Sequence, residues 1–436
     1  ARPTATSVTA SLLAYADAEA VLELGTEPGK LARALPPVRL AKGEPLHLPV
    51  PGLAPDTQYH YRVRLKPAGG AAAASGTGAG AEPPAEVNGE FHTARPAGKP
   101  FTFTLQADSH LDGGTVRAVY ERTLANVLAD KPDFHLELGD TFMTDKYRTF
   151  RDAHRQYVAQ RYYFGLACRS APLFWVVGNH DGEGGWRDPR GADGIGEWSL
   201  AQRKRYLANP YPDGFYTGSP GADPATRREN YYAWTWGDAL FVVLDPFAYT
   251  TAKPRSDADG WTWTLGKPQY DWLAATLAGS TARYKFVFLH HLVGGSLKEA
   301  RGGAEAAPFF EWGGKGVDGA DEFAARRPGW AAPIHALLVK ANVSVVFHGH
   351  DHLYARQSLD GVAYVEVPQP SNPKGDNAAR SARDYGYATG TILGSPGHVR
   401  VRIAAGGATV EYVRSAADDP STNGRAEDSF VIPPKK

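Results

Sequence analysis

The sequence predicts two folded units in series, an all-β sandwich over residues 1–97 and an α/β domain over residues 98–436. Three observations carry this. Up to residue 94 the apolar residues fall in short alternating runs divided by Gly and Pro, with no helical periodicity. From Phe101 onward apolar runs of strand length alternate with helix-period stretches. Nearly every later strand ends in a cluster of His, Asp or Asn. A chain of 436 residues exceeds one ordinary core. The segment ARPAGKP, residues 94–100, with two prolines and a glycine, marks the boundary.

In the first unit the strands read SVTASLLAY, AVLELGTE, LHLPV, YHYRVRL and EFHTA. The stretch LAPDTQYHYRVRL sets Tyr59, Tyr61 and Val63 on one strand face. It resembles the tyrosine corner of fibronectin type III domains, in which a tyrosine hydroxyl ties back to nearby backbone. Residues 69–84, rich in Gly, Ala and Pro, bury too little to order themselves and read as a mobile loop without chemistry; a loop closing over a neighbouring site is the other reading.

In the second unit FTFTLQA is a strand, residues 114–130 a helix with Val116, Tyr120, Leu124 and Val127 on one face, and FHLEL, LFWVV, KFVFL and VSVVF further strands. Asp112 reads as an N-cap. His135 and Glu137 alternate with apolar neighbours and read as structural. Residues 182–230 form a Gly- and Arg-rich excursion with one short helix near Glu197 to Leu207, and NYYAWTWGDALFVVLD a hairpin turning at Gly237 and Asp238. Strands flank a turn at Asp360 and Gly361; HVRVRIAAGGATVEYVRS closes the domain as a hairpin, and the tail after Ala416 reads as loosely attached.

The chemistry sits at strand ends, above all in Val343 to Arg356, where VSVVF runs into HGHDH. Ligands of open α/β sheets lie beyond the carboxyl ends of strands. FTLQADSH delivers Asp108 and His110, HLELGD Asp140, WVVGNHD Asn179, His180 and Asp181, FVFLHH His290 and His291, and VVFHGHDH His350 and His352. Carboxylate, amide and imidazole donors suit Zn, Fe or Mn, and their number exceeds one tetrahedral ion. Two cations about 3.5 to 4 Å apart can clamp a phosphoryl group and acidify a shared water.

The order D-x-H, G-D, G-N-H-D, H, G-H-x-H resembles that of the calcineurin-like metallophosphoesterases. QYDWL (Gln269 to Leu273), GHDHLYAR and the β domain in front are most similar to purple acid phosphatases. The resemblance implies a four-layer αββα catalytic domain and two metal ions per chain. Asp108, His110, Asp140 and His352 would hold the first, and Asp140, Asn179, His290 and His350 the second, with Asp140 bridging. Spacing leaves His290 and His291 undecided as ligand; the family phrasing favours His290. Two departures stand out. Met143 occupies the position of the purple acid phosphatases' metal-binding tyrosine while His110 is present, which removes the tyrosinate charge transfer that colours that group. The segment after His291, LVGGSLKEARGG, offers Lys298 and Arg301 but no further histidine to grip a monoester.

The resulting expectation is hydrolysis of phosphate monoesters by in-line attack of a metal-bound hydroxide, with phosphodiesters as the alternative and a non-catalytic surface-binding protein as a remote one. His180 would protonate the leaving oxygen, with Asp181 fixing its ring. His291 reads as packing or as a substrate contact, His348 as support behind the ligands, and Trp186, Arg187, Arg190 and Arg301 as rim contacts. Forty-seven basic residues balance forty-seven acidic ones, so no global field recruits nucleic acid or a membrane surface. The single Cys168 allows no internal disulfide, and no apolar run spans a membrane. The start at Ala1 suggests a trimmed chain, hence a secreted or periplasmic expectation.

Overall fold

A computed structural model of the chain describes residues 1–67, 86–186, 194–221, 223, 227–253, 257–295, 300–373 and 377–435. The loop at 69–84 therefore lies outside the described residues, as do Arg187, Arg190 and Lys298.

The N-terminal region is two antiparallel sheets. Ser7–Leu13 pairs Pro45–Pro51, and Ala18–Gly25 and Gln58–Pro67 lie at the centre of a second sheet with Glu86–His92 at one side. Alternate residues Ala20, Leu22, Leu24, Tyr59 and Val63 meet Val8 and Val50 in the space between, as period-two strands require. The Tyr59 hydroxyl accepts the Ala54 N–H at 2.8 Å, the tie-back expected of a tyrosine corner. This region is bonded to the second one: Arg161 donates to the Ser11 hydroxyl at 2.7 Å and carbonyl at 3.0 Å, and Tyr61 to the Arg169 carbonyl at 2.6 Å.

The second region has the four layers expected. One sheet runs Leu173–Trp175, Phe134–Glu137, Phe101–Gln106, Gly397–Ala404, Gly407–Arg414, Ala426–Ile432. The other runs Thr217–Gly218, Tyr232–Trp236, Ala239–Val243, Tyr284–Phe288, Val345–His348, Val362–Glu366, Leu353–Leu359, Thr391–Gly394. Between them lies an aromatic core of Phe103, Phe134, Phe241, Phe286, Phe288 and Phe347, all fully buried, with Phe103 edge-on to Phe241 at 5.1 Å. Helices Arg117–Ala129 and Phe150–Cys168 pack together through Tyr120, Leu124, Val127 and Ala167 on one side; Gly266–Ala278 and Ile334–Lys340 lie with the other sheet through Leu273, Leu277 and Leu338. Covering on both faces explains why these strands read as continuous apolar runs. Phe101–Gln106, Phe134–Glu137 and Leu173–Trp175 pair in parallel, as do Tyr284–Phe288 and Val345–His348, so each set delivers its loops at one end.

Two expectations need correction, and one helix went unread. The first helix begins at Arg117, after Val116, and no side chain caps it; Asp112 instead accepts the Gly114 N–H at 2.8 Å in a local turn. The tail is not loose: Ala426–Ile432 pairs antiparallel with Gly407–Arg414, and Asp428 accepts from Arg356 at 2.7 Å and from Tyr354 at 2.8 Å. Pairing there covers an edge that would otherwise present unpaired backbone. The helix Phe150–Cys168, 19 residues long, escapes sequence reading because its buried stripe of Ala153, Tyr157, Gln160, Phe164 and Ala167 is narrow and interrupted by an amide.

His135 and Glu137 are fully buried, outward of the aromatic core and under the helices. Burial pushes Glu137 up to about 8, against the Gln106 amide that donates to it at 2.7 Å. A carboxyl whose folded pKa is raised favours the folded state fully below its unfolded value, and that stability is lost as pH rises through about 8. Chemical denaturation of metal-free protein at pH 5, 6.5 and 8 tests this: the stability of wild type relative to Glu137→Gln falls with pH by up to roughly 1.4 kcal/mol per unit. A pH-independent difference contradicts it.

Candidate metal centre

Two groups of side chains converge where the strand ends of both sheets meet. Asp108, His110 and His352 form one, and Asp140, His290 and His350 the other; in each group one ligand atom per residue lies within 4.8 Å of the rest. Asn179 adjoins the second, its Oδ1 3.0 Å from His290 Nε2. The groups interlock: the His350 N–H donates to Asp108 Oδ2 at 2.8 Å, and His110 and His352 approach through Nε2 at 3.4 Å. The structure thus brings together all seven sequence-read ligand candidates, with His290 rather than His291 in the second group. Asp140 falls in the second group only.

The backbone is forced to reach this arrangement. Asp108, Asp140, His350 and His352 have φ of 57°, 52°, 84° and 58°, in the left-handed region that costs a side-chain-bearing residue stability. Glycine makes the close approach possible at Gly178, where a Cβ would come within 2.0 Å of the Asp140 nitrogen, and at Gly349, where it would meet Asp108 Oδ2 at 2.8 Å.

Charge completes the picture. Burial opposes ionisation of Asp140, but His290, 3.4 Å away, outweighs it and holds the carboxyl well below its ordinary range. Burial equally opposes the His290 imidazolium, yet Asp140 raises it to about 9. Asp108 and His352 repeat the exchange at 3.3 Å, the carboxyl lowered and the imidazole raised against burial. Each carboxylate thus sits beside an imidazole whose charged form it favours, where the donor set would accept cations. Asp108 Oδ1 is buried with His352 Nε2 3.3 Å away, and the His290 Nδ1 contact to the Leu138 carbonyl at 2.8 Å leaves Nε2 for a metal. The donor set of carboxylates, amide and imidazoles fits metal ions.

His180 adjoins the centre: its N–H donates to Asp140 Oδ1 at 2.8 Å, and its ring is 15% exposed. The ring partner is not Asp181. Nδ1 lies 3.0 and 3.1 Å from the two oxygens of Asp145, which sequence reading missed because a short 3₁₀ turn, Thr144–Lys146, folds it back. Asp181 is fully buried and accepts the N–H groups of Asp140, Thr141, Phe142 and Gly178 at 2.8 to 3.0 Å, so it fastens two ligand loops together. Burial and Asp140 nonetheless raise it to about 7.

Other positions resolve as follows. His291 is buried, pushed down to about 3 by burial, and packs edge-on against Trp263 at 4.7 Å and Phe247 at 4.9 Å, which fits packing rather than substrate contact. Arg301 donates to the His350 carbonyl at 2.6 Å and Asp351 at 2.9 Å, so its guanidinium braces the ligand loop. Trp186 packs edge-on against Trp263 at 5.6 Å. His348 Nδ1 is 2.6 Å from Glu366, and Asp112 lies 2.9 Å from His110 Nδ1, the role it takes in place of an N-cap.

Residues 101–354 match the family of calcineurin-like phosphoesterases. Among solved structures the chain is similar to PhoD, with a TM-score of 0.66 and 16% identity over 99% of this chain and 89% of that one. It is also similar to purple acid phosphatase PPD1 from yellow lupin (Lupinus luteus) seeds, with a TM-score of 0.61 and 14% identity over 99% of this chain and 73% of that one. At these identities the likeness is one of fold. No curated protein matches in sequence.

Metal ligation requires His290, raised to about 9 by Asp140, to give up its proton, so uptake must release a proton at neutral pH. Calorimetric titration of metal-free protein with Zn²⁺ or Mn²⁺ in buffers of different ionisation enthalpy therefore shows net proton release and weaker binding as pH falls. Buffer-independent enthalpies with unchanged affinity contradict this.

Proposed function

Because the chain belongs to the calcineurin-like phosphoesterase family, we propose that it hydrolyses phosphate monoesters at a centre of two metal ions. The observation that supports this is the pairing of two adjacent donor groups, Asp108, His110 and His352 beside Asp140, His290 and His350. Asn179 would complete the second site, and Asp140 would bridge to the first. When bound, two divalent cations supply Lewis acidity, neutralising phosphate charge and activating water. Zn, Fe and Mn all suit the donors.

The chain's own residues do the rest. His180 has its backbone fixed by Asp140 and its Nδ1 by Asp145, which leaves Nε2 to pass a proton to the departing ester oxygen. Asp181 keeps the Asp140 and Gly178 loops at a fixed separation without touching substrate. The half-exposed His352 leaves the first donor group open to solvent on one side, while Asp108 and His290 are fully buried behind it.

A second reading, phosphodiester hydrolysis, draws support from His291 and Arg301. The first is packed away among aromatic rings and the second is committed to His350 and Asp351, so neither stands ready to grip the extra charge of a monoester.

Turnover of p-nitrophenyl phosphate and bis(p-nitrophenyl) phosphate, before and after chelation and metal restoration, separates the readings. Metal-dependent monoester preference supports the first, diester preference the second, and absence of both metal and turnover a binding module. Asp140→Asn should lose metal and activity together. His180→Ala should lower kcat by about 10² to 10⁴ for an alkyl phosphate, which needs its leaving oxygen protonated, and far less for p-nitrophenyl phosphate. Asp145→Asn should act in the same direction, more weakly. Equal losses on both substrates contradict the acid role.

A further inference from the structure

A shallow surface cleft of about 510 Å³ is lined by Lys146, Tyr147, Arg148, Asp152, Arg155 and Gln156, its three cations exposed. Its size is that of a small-molecule site. Its walls are continuous with the catalytic loops. Gln156 donates to the Leu111 carbonyl at 3.3 Å, one residue beyond His110, and to the Tyr147 hydroxyl; Lys146 directly follows Asp145, the partner of the His180 ring. The cleft therefore lies on the side of the centre that carries His110 and His180.

Three cations face one carboxylate here. Asp152 is already engaged, accepting the Thr149 hydroxyl at 2.7 Å and lying 4.0 Å from Arg155. In a chain whose charges balance overall, this local excess marks a place for an anion. It also ends abruptly. Arg155 is shared with a neighbouring cleft of about 430 Å³, lined otherwise by Tyr15, His154, Val158, Ala159 and Tyr162, where aromatic and aliphatic groups replace the cations. The basic stretch has room and charge for one anionic group rather than for a polyanion.

Resting on the hydrolase reading above, we infer that the departing part of the substrate carries a second phosphate, received by Lys146, Arg148 and Arg155. In the reaction a water oxygen bonds to phosphorus, the ester P–O bond breaks, and the departing oxygen takes a proton from His180. That oxygen thus leaves from the side where the cleft begins. Its remaining chain reaches the three cations, whose charge-assisted bonds hold a phosphate dianion better than a neutral alcohol.

A matched pair of esters tests this. Propane-1,3-diyl bisphosphate and 3-hydroxypropyl phosphate present the same reacting ester and differ only in the second phosphate. Wild type should show a KM for the bisphosphate about tenfold below that for the monophosphate, and calorimetry the same preference in Kd. The Lys146→Ala, Arg148→Ala double variant and Arg155→Ala should each bring the ratio towards one, whereas Lys267→Ala, a distant exposed cation, should keep it. A wild-type ratio near one, or a ratio unmoved by these variants, overturns the subsite. Should neither ester be turned over, the Kd ratio still decides the subsite, and the two nitrophenyl esters decide the hydrolase reading separately.

Discussion

Two buried carboxylates govern this molecule. Asp108 and Asp140 lie out of water at the junction of two sheets, where a bare negative charge is costly and must be matched by positive charge close by. The imidazoles of His352 and His290, at 3.3 and 3.4 Å, provide it, each carboxylate favouring the protonated form of its partner. Divalent cations would serve the same carboxylates with more charge and free those protons. The donors and their burial are thus parts of one electrostatic balance.

The fold is what makes such a balance affordable. An aromatic core centred on Phe103 and Phe241 glues the sheets rigidly, and their parallel strands end together at the site. Four ligand-bearing residues accept left-handed backbone there, strain that the surrounding structure over-determines. Asp181 draws in N–H groups from two loops, and Arg301 and Asp351 brace a third. Behind His348, Glu366 accepts the Asp351 N–H at 2.9 Å and extends the support into the sheet. Each contact limits where a ligand atom can wander.

Much of this was legible beforehand for a physical reason. One polar cluster after an apolar run says little, but five of them at strand ends in one domain point to a single place. The layer order was implied by the family resemblance, and the hairpin at Gly237 followed from the strand pattern on either side of it. What escaped reading depends on backbone turns that side-chain patterns do not encode. Asp145 reaches His180 only because Met143, at φ 49°, reverses the chain. Asp112 was drawn to a helix terminus that begins later, and Asp428 to a tail, although its pairing with Arg356 becomes visible only once the strand is placed. The helix lining the basic cleft, Phe150–Cys168, went unread because its apolar stripe is thin.

The most direct measurement is anomalous diffraction from crystals grown with zinc or manganese. The account requires two ions per chain, about 3.5 to 4 Å apart, with Asp140 touching both and Asp108 and His290 each touching one. A single ion, or two ions with Asp140 bound to neither or only one, contradicts it.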